Sequence, residues 1–181
     1  LTADIDLGGM DWTPVGMLVK PFRGIFDGNG KKITGLNVTD SGDFLGLFGY
    51  NLGTIKNLTV SGCVTNTSTS KSEEHGDADF VGGVAGFNAG TMIDVDSNVV
   101  VDASGANNVG GIAGFNTSGK WVDSRDVGDE EGIKKTIAGA EGIIQRCGNA
   151  GFVAGRMKVG GIVGENAGTV EKCYNKGTVV N

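Results

Sequence analysis

One glycine-rich pattern of eight residues occurs four times in this chain, and it constrains the fold more than any other feature. The last copy occupies residues 159–166, and the others occupy residues 44–51, 81–88 and 109–116. All four have glycine at the third and sixth positions, an aliphatic residue at the fourth and asparagine at the eighth. A weaker fifth copy lies at residues 22–29. Repeats of this kind are typical of folds in which successive turns of the chain stack on one another.

A second apolar segment follows each full copy and repeats in the same phase. These segments lie at residues 53–60, 90–95, 142–147 and 168–173. Each begins with glycine and carries apolar residues two and five positions later. They are short and rich in Val, Ile and Leu, which is typical of β-strands.

The spacing of the copies indicates where loops are inserted. Corresponding glycines are 22, 37, 28 and 50 residues apart, and in the 22-residue frame Asn29 corresponds to Asn51 and Ile33 to Ile55. The variation falls between the strand-like segments, as expected for stacked turns that tolerate insertions. We predict a single all-β domain over residues 1–181, with about five coils, loop insertions at about 65–79 and 117–139, and a place in a longer protein.

An antiparallel alternative starts from Asp27-Gly28-Asn29-Gly30, which lies between apolar runs and is a common hairpin signal. A meander of hairpins has no reason to repeat two strand segments in phase. A parallel coil does, because each residue lies over its counterpart one turn earlier. The repeat therefore favours the parallel coil.

The composition excludes several classes of protein. Glycine accounts for 34 of 181 residues, but there is no three-residue period and there are only 2 prolines, which excludes collagen. The formal charge of -6, without a basic cluster, argues against nucleic acid as a partner. No apolar run approaches the ~18 residues of a membrane span, so we expect no membrane insertion.

The repeated sequence Gly-Gly-(Val/Ile)-x-Gly-x-Asn-x-Gly-Thr-(Val/Ile), with Cys-Tyr-Asn-x-Gly-x-Val after the last copy, resembles the GLUG repeat of bacterial surface proteins. The segments at residues 3–7 and 22–30 resemble those that commonly precede such repeats. The resemblance covers most of the chain outside the two insertions. It implies a right-handed parallel β-helix (a β-solenoid) and a secreted or cell-surface protein of bacteria. Adhesin-like proteins and the non-catalytic regions of immunoglobulin A protease-like proteins belong to this group. The resemblance implies no activity.

The asparagine that ends each octet recurs at one site just before a corner. We interpret these residues as a structural ladder, because a stacked Asn can bond to the turn backbone above or below it. They are Asn29, Asn51, Asn88, Asn116 and Asn166.

Three cysteines, Cys63, Cys147 and Cys173, have spacings that match no zinc site. Cys147 and Cys173 occupy the position that Leu58 and Val95 hold in other repeats, so we expect buried thiols. A disulfide between them remains the alternative, although in-register parallel strands give it poor geometry.

Two acidic segments could attract a cation. Glu73, Asp77 and Asp79 lie around the only histidine, His75, and offer oxygen ligands to Ca²⁺, but they lack the spacing of an EF-hand. The run at residues 123–131 is also acidic. We expect solvated loops at both places, and therefore no metal site and no cofactor.

The position before each asparagine holds Tyr50, Phe87, Phe115 and finally Glu165. The glutamate suggests that this position reaches water, in which case the three rings form an exposed strip able to bind a sugar or a host protein. In the other interpretation an insertion buries the strip, with Trp121 as a natural cover. These four aromatic residues are the candidate ligand or partner surface.

We expect no catalytic residues, because the octets supply no carboxylate pair and the single histidine lacks a nucleophile. The sequence therefore favours a non-catalytic structural or adhesive module joined to further domains of a larger chain. A module that binds or processes glycans is the alternative.

Overall fold

The computed structural model describes residues 1–68, 79–118 and 140–181, and within these ranges the chain is all-β. The first strands are β1 (Ile5–Asp6), β2 (Ile25–Asp40), β3 (Phe44–Leu45), β4 (Phe48–Asn51), β5 (Thr54–Asn66) and β6 (Phe80–Gly82). They are followed by β7 (Ala85–Asn88), β8 (Thr91–Ala103), β9 (Val109–Gly110), β10 (Ala113–Asn116), β11 (Ile143–Gln145) and β12 (Gly148–Asn149). The last strands are β13 (Val153–Gly155), β14 (Val159–Gly160), β15 (Val163–Asn166), β16 (Thr169–Glu171), β17 (Tyr174–Asn175) and β18 (Val179–Val180).

These strands form three sheets, and every pair of them is parallel. The largest sheet has the order β1-β2-β5-β8-β11-β16, and β12 and β13 also pair with β8 on one side and with β17 and β18 on the other. The two smaller sheets have the orders β15-β10-β7-β4 and β14-β9-β6-β3. Each octet supplies one strand to each smaller sheet, and the segment after it supplies the large sheet. This arrangement is consistent with a β-helix.

The register of β4, β7, β10 and β15 confirms the alignment of the second half of the four full octets. In the first half, Phe44 pairs with Phe80 and Leu45 with Val81, so the first octet is one residue out of the predicted frame there. Asn51 lies beside Asn88, Asn116 beside Asn88, and Asn166 beside Asn116. The predicted insertions at 65–79 and 117–139 lie mostly outside the described residues. Strand β5 nevertheless includes Thr65 and Asn66, which the sequence assigned to the first insertion.

The predicted register of the fifth copy is wrong. Phe22, and not Asn29, pairs with Asn51, and Ile33 pairs with Val60 instead of Ile55. The layers are 29 residues apart at Phe22 and Asn51 and 27 apart at Ile33 and Val60, so the 22-residue frame fits neither part. A bulge in β2 accounts for the change from 29 to 27, since Asp27 to Lys31 spans four positions where the partner strand uses two. Asn29 and Gly30 lie in this bulge with positive φ, at 52° and 71°. The hairpin-like sequence thus bends a parallel strand without reversing it.

Alternation along β8 shows how the core forms. Its even-numbered side chains from Asp94 to Asp102 are mostly exposed, whereas the odd-numbered ones from Val95 to Ala103 are buried. Leu58, Val95 and Cys147 stack in one inner column, and Ile55, Met92 and Ile144 stack in another. A fully buried aliphatic side chain contributes about 1.5–3 kcal/mol relative to an exposed one. The repeated inner columns are therefore the main source of stability.

A column of left-handed residues bends the large sheet at the same place in each layer. Asn57, Asp94, Arg146 and Lys172 have φ of 54°, 55°, 52° and 55°. Asn and Asp adopt this conformation at low cost, whereas Arg and Lys adopt it less readily. The bend is therefore set by the stacking of the layers and does not require a particular residue type at this position.

Candidate functional site

The predicted aromatic strip forms, but it is buried. Tyr50, Phe87 and Phe115 lie side by side in β4, β7 and β10. The ring centroids of Tyr50 and Phe87 are 4.4 Å apart, and those of Phe87 and Phe115 are 5.3 Å apart, both pairs stacked. The exposed fractions of the three residues are 1%, 0% and 0%. Of the two interpretations of this position, burial therefore applies in these three layers.

A second row of aromatic residues covers the strip. Phe80 packs against both Phe87 and Phe115, at centroid distances of 5.4 and 5.5 Å. Phe44 stacks on Phe80 at 5.4 Å and contacts Tyr50 at 5.7 Å. These rings form a hydrophobic cluster of their own, separate from the core between the sheets. The predicted covering residue, Trp121, lies outside the described residues.

The interpretation that the strip position reaches water is based on Glu165. This residue occupies the strip position in β15, beside Phe115, and there it is partly exposed and accepts a hydrogen bond from Lys158 Nζ at 2.7 Å. β15 is the outermost strand of its sheet. The charge therefore reports the open edge of the sheet and not the environment of the inner layers.

The asparagine ladder is confirmed for the four full octets. Each Nδ2 donates to the Oδ1 of the next asparagine, from Asn51 to Asn88, from Asn88 to Asn116 and from Asn116 to Asn166, at 2.8 Å in all three cases. The first three asparagines are fully buried. Each Oδ1 of Asn51, Asn88 and Asn166 also accepts the backbone N–H of the glycine two residues later. Asn29 is not part of the ladder, because its exposed side chain donates to the Leu1 carbonyl at 3.2 Å.

A second ladder, missed from the sequence, involves Asn149 and Asn175. Asn149 Nδ2 donates to Asn175 Oδ1 at 2.8 Å, and each side chain also bonds to the backbone of its own Asn-x-Gly turn. The signal was present, since Cys147-Gly-Asn149-x-Gly and Cys173-Tyr-Asn175-x-Gly share one pattern. Both ladders satisfy polar groups that stacking removes from water.

The cysteines are free thiols, as expected. Cys147 is fully buried, and Cys63 and Cys173 are partly buried. Burial raises the pKa of the Cys147 thiol to about 12. The Cys147 backbone N–H donates to Cys173 Sγ at 3.4 Å, which places the two residues in neighbouring layers. Cys147 therefore serves packing, since a buried thiol with a raised pKa is a poor nucleophile.

The described carboxyl groups with shifted pKa values all have lowered pKa values, so they are ionised at neutral pH. The pKa of Asp27 falls to about 2, because Asn57, the Asn29 backbone and Lys56 donate hydrogen bonds to it. Hydrogen bonds from Arg146 lower the pKa of Asp94, and hydrogen bonds from Gln145 and Lys172 lower that of Glu171. A general acid at neutral pH needs a raised pKa.

The described ranges contain no group of three or more potential metal ligands. Of the predicted calcium ligands, Asp79 is buried in the structure, whereas Glu73 and Asp77 lie outside the described residues, as do His75 and the run at residues 123–131. Calcium binding therefore stays a sequence hypothesis.

Two of the concave surfaces formed by the described residues lie at or beside the stacked layers. An apolar cavity of about 190 Å³ lies at the N-terminal end of the stack, where its walls include Trp12, Phe26 and Ile33. The Trp12 indole donates to the Leu47 carbonyl at 3.0 Å, so its polar atom is already occupied. An open polar groove of about 490 Å³ runs over the stacked Gly-Thr segments between Arg23 and Glu141. Neither surface brings together groups that could perform a reaction.

Comparison with known proteins supports the repeat assignment. The GLUG motif family model matches residues 155–180, which comprise one octet and the strands that follow it. A protein of Evansella cellulosilytica, named "Putative Gly-rich membrane protein", is 44% identical over 66 residues, and the match spans 34% of this chain and 8% of that protein. No solved structure matches the chain. Within the described ranges no helix has the length and apolar character needed to cross a membrane. The chain therefore carries the GLUG motif, and the resemblance of its repeats to those of GLUG-repeat proteins is confirmed.

Proposed function

We propose that this chain is a non-catalytic structural module of a secreted or cell-surface bacterial protein, folded as a right-handed parallel β-helix of about five coils. The observation that carries the proposal is continuous stacking through successive layers, with inner apolar columns and a buried asparagine ladder. A stack of this kind is rigid, because each layer is held by its neighbours on both sides. The Gly-rich relative named as a membrane protein supports a location at the cell surface.

The chemistry of the described surface supports a role without catalysis. Its perturbed carboxyl groups have lowered pKa values and are held in ion pairs or hydrogen bonds. The buried Cys147 has a raised pKa. These groups stabilise the stack and are poorly suited to move protons at neutral pH.

The glycan-binding alternative loses its main support, since the aromatic strip of Tyr50, Phe87 and Phe115 is buried. A role in adhesion to a host protein or glycan is retained as part of the proposal, with the recognition surface outside this strip. In solenoid proteins the loops and the outer strand faces carry the variable surface.

Two measurements test the proposal. Antibodies raised against the purified chain should label intact cells of the source organism or detect the protein in its culture medium. Labelling only after lysis contradicts a surface role. The purified chain should also leave polysaccharides and peptide substrates intact. Turnover that is lost in a single-residue variant with an unchanged circular dichroism spectrum contradicts a non-catalytic role.

A further inference from the structure

The C-terminal end of the stack differs from its interior in how its strands are paired. Strands β16, β17 and β18 pair on one side only, with β11, β12 and β13, and β14 and β15 are likewise the last strands of their sheets. Val170 and Val179 are each 37% exposed here, although their counterparts in the preceding layer, Ile144 and Val153, are buried. Open strand edges next to exposed apolar side chains favour the addition of another strand.

Among the residues that the structure describes, the asparagine ladders leave hydrogen-bond donors without acceptors at this end of the stack. In the inner layers each Asn amide uses one N–H for a carbonyl of its own turn and the other for the next Asn. Asn166 and Asn175 make only the first of these bonds, to Gly168 at 3.1 Å and to Gly177 at 2.8 Å. Within the described part of the chain, no acceptor occupies the place of the next Asn Oδ1. Two amide donors therefore remain available at the ladder positions.

In the described residues, the N-terminal end of the stack has no asparagine acceptors at the two ladder positions. In the layer before Asn51 the ladder position is held by Phe22, which has no side-chain acceptor. The second ladder begins at Asn149. Going from Asn149 towards the N-terminal end, the same position is occupied by Ser97, Val60, Ile33 and finally Ile5. Both prolines, Pro14 and Pro21, also lie in this first turn, and proline cannot donate to a strand ladder. A second copy stacked head to tail would therefore leave both amide donors unpaired.

We infer that the C-terminal face is a strand-addition surface for one further parallel coil of the same repeat type, with Asn at both ladder positions. We expect the added coil to pair with the last octet as that octet pairs with the one before it, since residues 159–166 lie beside residues 109–116 in parallel register. The inference extends the proposed function and rests on its parallel stacking. The incoming coil would accept the free N–H groups of Asn166 and Asn175 and cover the exposed valines.

A peptide with the sequence of residues 159–181 tests the inference against the intact chain. We expect saturable one-to-one binding by titration calorimetry and a higher melting temperature of the chain. A peptide with both ladder asparagines changed to Leu should bind about tenfold more weakly, because it offers no acceptor to the two amides. A scrambled peptide should not bind.

The matching change on the protein side is the double variant Asn166→Ala and Asn175→Ala, with Lys176→Ala as the control. Because both asparagines are exposed, the double variant should fold. It should lose affinity for the peptide by about tenfold, while the control keeps it.

Three outcomes overturn the inference. They are absence of binding at millimolar peptide, equal binding of the Asn and Leu peptides, and self-association of the chain that the peptide does not compete with. Circular dichroism and amide exchange on the free chain separate this failure from that of the proposed function. A stable β-structure that ignores the peptide contradicts only the addition surface, whereas an unfolded chain contradicts the stacked module.

Discussion

Replacing Asn88 by alanine tests the buried ladder at its centre. The side chain takes part in four hydrogen bonds. It accepts from Asn51 Nδ2 at 2.8 Å and from the Gly90 N–H at 3.3 Å, and it donates to Asn116 Oδ1 at 2.8 Å and to the Gly90 carbonyl at 3.1 Å. Because Asn88 is fully buried, its removal leaves the Asn51 amide, the Gly90 N–H and Asn116 Oδ1 short of a partner, whereas the Gly90 carbonyl still accepts from the Ile143 N–H at 2.8 Å.

Each buried group left without a partner costs about 1–3 kcal/mol, so three of them cost at least about 3 kcal/mol. A water molecule in the vacated space would restore part of this, and we expect Asn88→Ala to lower the free energy of unfolding by about 3–4 kcal/mol. Asn88→Asp should be at least as damaging at neutral pH, because its carboxylate faces Asn116 Oδ1 and cannot donate to it. The matched control is Asn166→Ala. It removes one acceptor from the buried Asn116 Nδ2, which keeps the Gly142 and Thr169 carbonyls, so the change should cost about 1 kcal/mol or less.

Urea unfolding followed by circular dichroism measures the difference. With a slope of about 2 kcal/mol per molar urea, the midpoint of Asn88→Ala should fall by roughly 2 M. The slope itself should be unchanged if folding stays two-state. If Asn88→Ala and Asn166→Ala differ by less than about 1 kcal/mol, the ladder contributes little to stability and the reasoning is refuted.

Three further predictions concern the core, a buried thiol and a surface ion pair. Leu58→Asp should abolish the β-sheet circular dichroism signal, because it buries an unpaired charge, whereas Ser61→Asp should not; a folded Leu58→Asp contradicts the assigned core. The Cys147 thiol is more acidic in the unfolded than in the folded chain. Between about pH 9 and 11 the wild type should therefore lose about 2 kcal/mol more stability than Cys147→Ala, measured by urea unfolding. Asp94→Asn keeps a residue that tolerates positive φ but removes the bidentate pair with Arg146, at 2.7 Å for both bonds. The exposed pair should contribute at most about 1 kcal/mol, and because the pKa of Asp94 is lowered, this contribution should vanish as pH falls below 4 and shrink in high salt.

The sequence predicted the stacked part of the fold well because its identities repeat in phase. A position that is Leu58 in one layer, Val95 in the next and Cys147 in the third belongs to one inner column, and the structure places it there. The same argument predicted the asparagine ladder. Parallel stacking sets each residue over its counterpart, so recurrence along the chain is enough to identify contacts between layers.

The prediction failed where one layer departs from the others. The first two layers are 29 residues apart at Phe22 and Asn51 and 27 apart at Ile33 and Val60, so a fixed 22-residue frame misplaces the whole of this layer. The pair Asn149 and Asn175 escaped notice because earlier layers carry Ser97 and Val60 at that position. Recurrence in only two layers is a weak signal.

The aromatic strip shows most clearly what the sequence determines and what only the tertiary structure decides. The sequence alone determined that Tyr50, Phe87 and Phe115 lie in a row, because the repeat fixes which residues are neighbours across layers. Only the tertiary structure decided that this row is buried under Phe44 and Phe80. Exposure depends on which segments pack over the outside of a strand, and the repeat carries no information about that. The repeat thus determines the stack, and the packing around it decides which of its surfaces remain available for binding.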